Sequence, residues 1–331
     1  KGKVMRNPGR KISWLCVGII ACVNLPVFDA AAQNYPVKPI RIVVGFSPGG
    51  ITDVLARMVA QKLSEPLGQP VVIENRPGAS TAIANERVAT SAPDGYTLLM
   101  GFSGPLAIVP QLNDATPYDP VRDFAPISLA ASAPYVLLVH PSVPAKTVKE
   151  LVALAKSQPG KLNFSSGGTG VGIHMAGELF NQAAGVRIVH VPYKGAAPAM
   201  TALMAGEVDL MFNGLSAALP AVKSGKVRAL AVGGEKRSAL MPGLPTVSES
   251  GFQFNTSGWY GVVAPKGTPQ NVVAKLNATL LQALKAPQTK SRLTDLAVEE
   301  IGSTPEEFSS RLRAEIATWG KVIKAAGLKG K

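Results

Sequence analysis

At 331 residues the chain has room for one large domain or two ordinary ones, and 46% apolar against 17% charged residues excludes a disordered polymer. Its formal charge of +13 is carried by lysines and arginines scattered along the sequence with no like-charge block. That pattern excludes a nucleic-acid-binding tail and suits a surface that gathers small anions.

Residues 1–32 read as a secretory signal peptide. Lys1, Lys3, Arg6, Arg10 and Lys11 form a basic start, Ile12 to Val23 is an apolar run too short to span a bilayer, and Ala30-Ala31-Ala32 offers a small-residue cleavage site. Lys1 stands where a methionine is usual, so Met5 is an alternative start. Arg10-Lys11 is not a twin-arginine pair, which makes ordinary Sec export to the periplasm the expectation. Ile19-Ile20-Ala21-Cys22 also resembles a lipoprotein box with Cys22 as a lipid-anchored terminus; cleavage after Ala32 is the favoured reading. Cys16 and Cys22 are the two cysteines of the chain, so the exported protein is expected to have no disulfide, thiolate metal site or cysteine nucleophile. Its charge falls to +9, from 29 basic and 20 acidic residues.

After the signal, strands and helices alternate. Ile40 to Phe46 is an apolar strand running into Ser47-Pro48-Gly49-Gly50-Ile51-Thr52-Asp53, followed by a helix from Val54 to Leu67. Val71 to Asn75 is a second strand, Thr81 to Ser91 a helix, and Tyr96 to Met100 a third strand opening into Gly101-Phe102-Ser103-Gly104-Pro105. Pro110 to Pro126 reads as loop, and Tyr135 to His140 as a strand. Thr147-Val148-Lys149-Glu150 is a capping box that opens the next helix. Lys161 to Ser165 then repeats the first pattern: a strand, a glycine-rich Ser166-Gly167-Gly168-Thr169-Gly170-Val171-Gly172, and a helix from about Ile173 to Ala184. Strands follow at Arg187–Val191, Val208–Phe212 and Val227–Val232, with a helix around Ala199 to Ala205. Trp259 to Ala264 is a further strand, and the remainder is helical. Val272, Leu276, Leu280 and Leu284 form one stripe, and Phe308, Leu312, Ile316, Trp319 and Ile323 another.

The succession predicts an α/β protein with mostly parallel sheets in two lobes. Residues 35–134 plus 264–331 form the first and 141–257 the second, joined by crossing strands at 135–140 and 258–263. Each lobe then supplies one glycine turn, on opposite walls of a cleft. Glycines let backbone N–H groups face a ligand, and the first turn of a helix leaves unpaired donors with partial positive charge. Two such turns suit one small anion.

Two nucleotide-binding motifs are incomplete in the sequence. No Gly-Lys pair is followed by Ser or Thr, and Ile173 replaces the third glycine of a dinucleotide fingerprint. His140, His174 and His190 have no metal-ligand spacing. Neither cofactor nor metal nor catalysis is expected. Asp53 reads as a first-turn helix cap, because a carboxylate beside an anion repels it. Ser103 and Asn213, each at a strand end, are candidate polar contacts, and His174 is a candidate donor.

Phe46-Ser47-Pro48-Gly49-Gly50-Ile51-Thr52-Asp53, Glu74-Asn75-Arg76-Pro77-Gly78-Ala79, Pro93-Asp94-Gly95-Tyr96-Thr97-Leu98, His190-Val191-Pro192-Tyr193-Lys194-Gly195, Leu244-Pro245-Thr246-Val247 and Trp259-Tyr260-Gly261 occur in this order. In this the chain resembles the Bug (Bordetella uptake gene) receptors, the extracytoplasmic solute-binding proteins of tripartite tricarboxylate transporters. The resemblance implies a type II-like periplasmic-binding fold that closes on a small carboxylate and delivers it to the transporter's membrane subunits. The acid would be a mono-, di- or tricarboxylate or an acidic amino acid. It also implies ligand contacts at Phe46, Ser47, Gly49, Gly50 and Asp53 on one side and Ser166, Gly168, Thr169, Gly170 and His174 on the other. Two departures stand out: Ser80-Thr81-Ala82 follows where the family usually has glycines, and Asn213 stands where it often has an acid. The alternatives are the same receptor serving a membrane sensor, or an exported hydrolase.

Overall fold

The structure is a computed structural model that describes Gly2 and residues 35–296 and 298–329. The signal reading, with Cys16 and Cys22, lies outside the described residues except for Gly2. From Tyr35 onward the chain forms one compact unit.

In chain order the elements are β1 (Ile40–Val44), α1 (Ile51–Leu67), β2 (Val71–Asn75), α2 (Ala82–Ala89), β3 (Thr97–Phe102), α3 (Val109–Leu112), β4 (Phe124–Val139) and α4 (Val148–Ser157). Then come β5 (Asn163–Ser166), α5 (Gly172–Ala184), β6 (Val189–Pro192), α6 (Ala196–Ala205), β7 (Leu210–Gly214), α7 (Leu215–Lys223) and β8 (Arg228–Val232). The chain ends with β9 (Ser257–Pro265), α8 (Gln270–Lys285), α9 (Pro287–Asp295), β10 (Glu299–Glu300) and α10 (Pro305–Ala325).

The strands run in the order β2-β1-β3-β9-β4-β7-β5-β6, with β8 and β10 also paired to β4. β4 belongs to two sheets. Residues 124–134 pair with β9, and 135–139 pair with β7 and β8. This makes the molecule two-lobed, each lobe an α/β layer. The sheets are mixed rather than mostly parallel: β1, β2 and β3 are parallel to one another, as are β5, β6 and β7, but β4 and β9 run against their neighbours.

The crossing points also differ from expectation. All of β9 pairs within the first sheet, so the chain passes between lobes near Pro134–Tyr135 and Thr256–Ser257, not along 135–140 and 258–263. β4 starts at Phe124, inside the stretch Pro110 to Pro126 that reads as loop, and extends well before the expected strand start at Tyr135. Register shifts between Pro126 and Ser128 and between Leu129 and Ala131 let the sheet accommodate it.

Side-chain alternation builds the core. Ile40, Ile42 and Val44 of β1 pack with Leu55, Val59 and Leu63 of α1 and with Leu276, Leu280 and Leu284 of α8, while Val43 faces the opposite layer. In β4, Tyr135, Leu137 and Val139 join one layer and Val136 and Leu138 the other. The α10 stripe Phe308, Leu312, Trp319, Val322 and Ile323 shares a layer with Met175, Leu179 and Phe180 of α5, so the last helix packs on both lobes. Thr304 and Glu307 close a capping box at its start.

Candidate functional site

The carboxyl ends of β1 and β2 build the first glycine turn. Gly49 takes φ +91°, a left-handed value that favours glycine, and α1 starts at Gly50 with no side-chain cap. Among the described residues no acceptor meets the N–H groups of Gly50, Ile51 and Thr52. The turn is held from beneath by Asp53, which is 2% exposed. Its Oδ2 accepts from Gly49 N and Arg57 Nε, both at 2.9 Å, and its Oδ1 accepts from Asn75 Nδ2 at 2.9 Å. Asn75 Nδ2 also donates to the Phe46 carbonyl at 2.9 Å. Burial pushes the Asp53 carboxyl up, but hydrogen bonds from Arg57, Gly49 and Asn75 outweigh it and hold the group at about 2. Asp53 is therefore a brace of the turn, and its charge is matched by Arg57.

Next to this turn the chain is strained. Ala79, Ser80 and Thr81 adopt φ of +45°, +52° and +75°. A non-glycine residue in the left-handed region costs roughly 1–2 kcal/mol. Thr81 packs so close to Gly45 that a Cβ at residue 45 would lie 2.6 Å from its own.

The second glycine turn follows β5. Gly168 takes φ +134° and Gly170 φ +80°. Ser166 Oγ donates to Gly168 O at 2.8 Å, accepts from Gly168 N at 3.2 Å and lies 2.6 Å from His190 Nε2. Gly170 N donates to His174 Nδ1 at 2.9 Å, so the proton of that ring sits on Nε2, 3.5 Å from Glu178. The two imidazoles stack with centroids 3.8 Å apart, over Phe164. Ser166, Gly168, Gly170 and His174 thus saturate one another. Thr169 is exposed at the tip of the turn, and the N–H groups of Gly172 and Ile173 at the start of α5 meet no acceptor among the described residues.

His190 escaped the sequence reading, which took His190-Val191-Pro192 only as part of a motif. Its pairing with Ser166 spans two adjacent strands and had no local signature. Burial, then the neighbouring His174, depress its ring to about 4 from 6.5, with Glu178 opposing. The neutral form is the folded one, so its contribution to stability is full above pH 6.5 and is lost as pH falls toward 4. Discounted for partial exposure, the expected loss is about 2 kcal/mol. Thermal melts from pH 7 to 4 check this: His190→Asn should flatten the slope, and an unchanged slope would rule His190 out as its source.

Between the turns lies the end of β3. Phe46, 37% exposed, meets Phe102 edge-on at 6.1 Å, and Phe102 stacks on Tyr260 at 5.4 Å. The next residue, Ser103, is buried. Tyr135, at the crossing point of β4, sets its hydroxyl against Gly172, so a side chain at the start of α5 would have to displace it. Leu112 of α3 likewise abuts Gly170. The first loop thus meets the end of β3, and the crossing strand meets the second loop. Asn213 is buried, and its Oδ1 accepts from Gly214 N at 2.9 Å. Ser47 is exposed beside Gly49. A surface hollow lined by Gln111, Asp114, Tyr118, Arg122 and Ile316 contains neither glycine turn. Among the described residues no group of three or more His, Cys, Asp or Glu could hold a metal, and no helix is long and apolar enough to cross a membrane.

Comparison with known proteins decides the family. The family model described as "Tripartite tricarboxylate transporter family receptor" matches residues 55–328. The chain belongs to the tripartite tricarboxylate transporter receptor family. Among curated relatives, protein BugT of Bordetella pertussis is 36% identical over 315 residues, covering 95% of this chain and 97% of BugT. Among solved structures, R. palustris Rpa4515 with adipate is 38% identical with a TM-score of 0.72, covering 88% of this chain and 98% of that one. MatC from Rhodopseudomonas palustris with bound malate is 35% identical with a TM-score of 0.69, covering 87% and 100%. The tripartite receptor fold is thus shared along nearly the full length of these relatives.

Proposed function

We propose that this tripartite receptor is a periplasmic, non-catalytic protein that captures a small carboxylate between its lobes and delivers it to the membrane subunits of its transporter. The observation that carries the proposal is the matched pair of helix starts. The unpaired N–H groups of Gly50, Ile51 and Thr52 in one lobe and of Gly172 and Ile173 in the other are donors awaiting an anion, each reinforced by its helix dipole. Amides held by buried braces need little reorganisation, so charge-assisted bonds to a carboxylate contribute most of their strength to affinity. The residues proposed to meet the ligand are Phe46, Ser47, Gly50 and Thr169 with the amides of Ile51, Thr52, Gly172 and Ile173; Gly49, Ser103 and Gly170, which are buried or already paired, are proposed to shape the walls. Asp53, Ser166, Gly168, His174 and Asn213 are proposed as their support. The lobes are proposed as 35–134 plus 257–329 and 135–256. The adipate and malate bound by the relatives make dicarboxylates the first ligands to test.

Thermal melts with adipate, malate, succinate and citrate at millimolar concentration test the reading. A ligand present at 100 times its Kd stabilises by about 2.7 kcal/mol, which shifts the melting temperature by several degrees. No shift with any carboxylate across a broad panel would defeat the proposal.

A further inference from the structure

Tyr135, at the crossing point of β4, is 7% exposed, yet its hydroxyl makes no hydrogen bond among the described residues. A buried hydroxyl without a partner is costly, and each one in a folded protein calls for a reason. This one is aimed at the amino end of α5. The hydroxyl sits against Gly172, and the ring carbon Cζ lies 3.3 Å from where a Cβ on that residue would stand. The helix starts there without a side-chain cap, and the N–H groups of Gly172 and Ile173 meet no acceptor among the described residues. On its other side the hydroxyl lies 3.5 Å from the place of a Cβ on Gly258. Two glycines therefore leave the room that this oxygen occupies. Gly258 and Tyr260, two apart on β9, project to one face of the sheet. Tyr260 stacks on Phe102, and Phe102 meets Phe46 of the first turn. The Tyr135 hydroxyl thus reaches the second turn over the same face of β9 that carries the aromatic stack leading to the first.

On the carboxylate reading above, we infer that Tyr135 is a further ligand-binding residue, its hydroxyl donating a hydrogen bond to the anion seated on the amides of Gly172 and Ile173. The chemistry fits the task. Burial, with Tyr260 and Glu315 adding to it, pushes the ionisation of this phenol upward, so it keeps its proton and acts as a donor at neutral pH. A neutral donor gives a carboxylate a charge-assisted bond without burying a second charge of its own. The ring is held between Gly172 and Gly258, so little ordering is left for the ligand to supply.

Isothermal titration with adipate, paired with thermal melts of the free protein, is the test. Tyr135→Phe removes the oxygen and keeps the ring against Gly172, so affinity should fall about tenfold to 100-fold. The melting temperature of the free variant should hold or rise, because the hydroxyl it loses had no partner there. A fluorotyrosine at position 135 keeps the hydroxyl, and its fluorine resonance should move as adipate saturates the site. Wild-type affinity in Tyr135→Phe, or a fluorine signal that ignores adipate, would overturn the inference while leaving carboxylate binding intact. An affinity loss matched by a lower melting temperature of the free variant would do the same, since that is the mark of a packing role. Failure of the wild-type protein to bind adipate or any other small carboxylate would overturn the carboxylate reading and this inference with it.

Discussion

Replacing Asp53 with alanine is expected to lower carboxylate affinity at least 100-fold while the protein stays folded. The expectation follows from what the side chain holds: Gly49 N and Asn75 Nδ2, and through Asn75 the Phe46 carbonyl, all within 2.9 Å contacts. Without it the turn loses its attachment to α1 and β2. The amides of Gly50, Ile51 and Thr52 must then be ordered by the ligand itself, and 100-fold in affinity corresponds to about 2.7 kcal/mol. Arg57 is 53% exposed and returns to water, so the cost in stability is confined to the buried hydrogen bonds, about 2–3 kcal/mol. Asp53→Asn should be intermediate, because an amide can accept along one side only and meets the Gly49 or Asn75 donors with its own N–H on the other. Titration calorimetry with adipate and thermal melts separate the two effects. The same carboxyl predicts acid sensitivity. Its folded value of about 2 lies below the ordinary 3.8, so its stabilisation is complete above pH 4 and disappears as pH falls toward 2. Binding by Asp53→Ala at wild-type affinity would show that the turn needs no brace.

The second large effect is expected at the crossing point. Glu315 on α10 accepts from Trp259 Nε1 at 2.7 Å and from Arg311 Nε at 3.0 Å. The Arg311 guanidinium reaches on to Ser257 Oγ at 3.2 Å, and Ser257 bonds Ser132 across β4 and β9 at 3.2 Å. One helix thus pins both strands just where the chain passes between lobes. Burial raises the Glu315 carboxyl and Arg311 counteracts it. Glu315→Ala leaves the fully buried Trp259 indole N–H without an acceptor and Arg311 without its partner, at an expected cost of about 3–5 kcal/mol. At 2–4 °C per kcal/mol the melting temperature should fall by roughly 10 °C. Glu315→Gln keeps an acceptor for Trp259 and should lose about a third of that. Equal losses in the two variants would mean that side-chain packing, not the hydrogen bond to Trp259, carries the effect.

The periodic elements were legible in the sequence because their signals are local. Thr304-Pro305-Glu306-Glu307 announces its cap, and the stripes of α8 and α10 repeat at helical spacing. Both glycine turns were legible for the same reason. The first half of β4 was not, since Phe124-Ala125-Pro126 read as loop and the small residues that follow carry no strand signal until β9 and β10 supply partners on either side. At the site, the residue types were legible and their duties were only partly so. Asp53 as a first-turn brace could be read from charge, and its i,i+4 spacing to Arg57 was a readable sign of a paired carboxylate. The division of the second turn into donors and braces depends on His190 arriving from β6, 24 residues beyond Ser166. Likewise Tyr135 reaches Gly172 from a strand that begins in the other sheet. No spacing rule encodes such meetings.

A crystal structure of the protein with adipate tests the central claim most directly. The account predicts one carboxylate lying between the amino ends of α1 and α5, with oxygens within about 3 Å of amides, or of waters held by amides, from both Gly50–Thr52 and Thr169–Ile173. Adipate bound to one lobe alone, or away from both glycine turns, would contradict it.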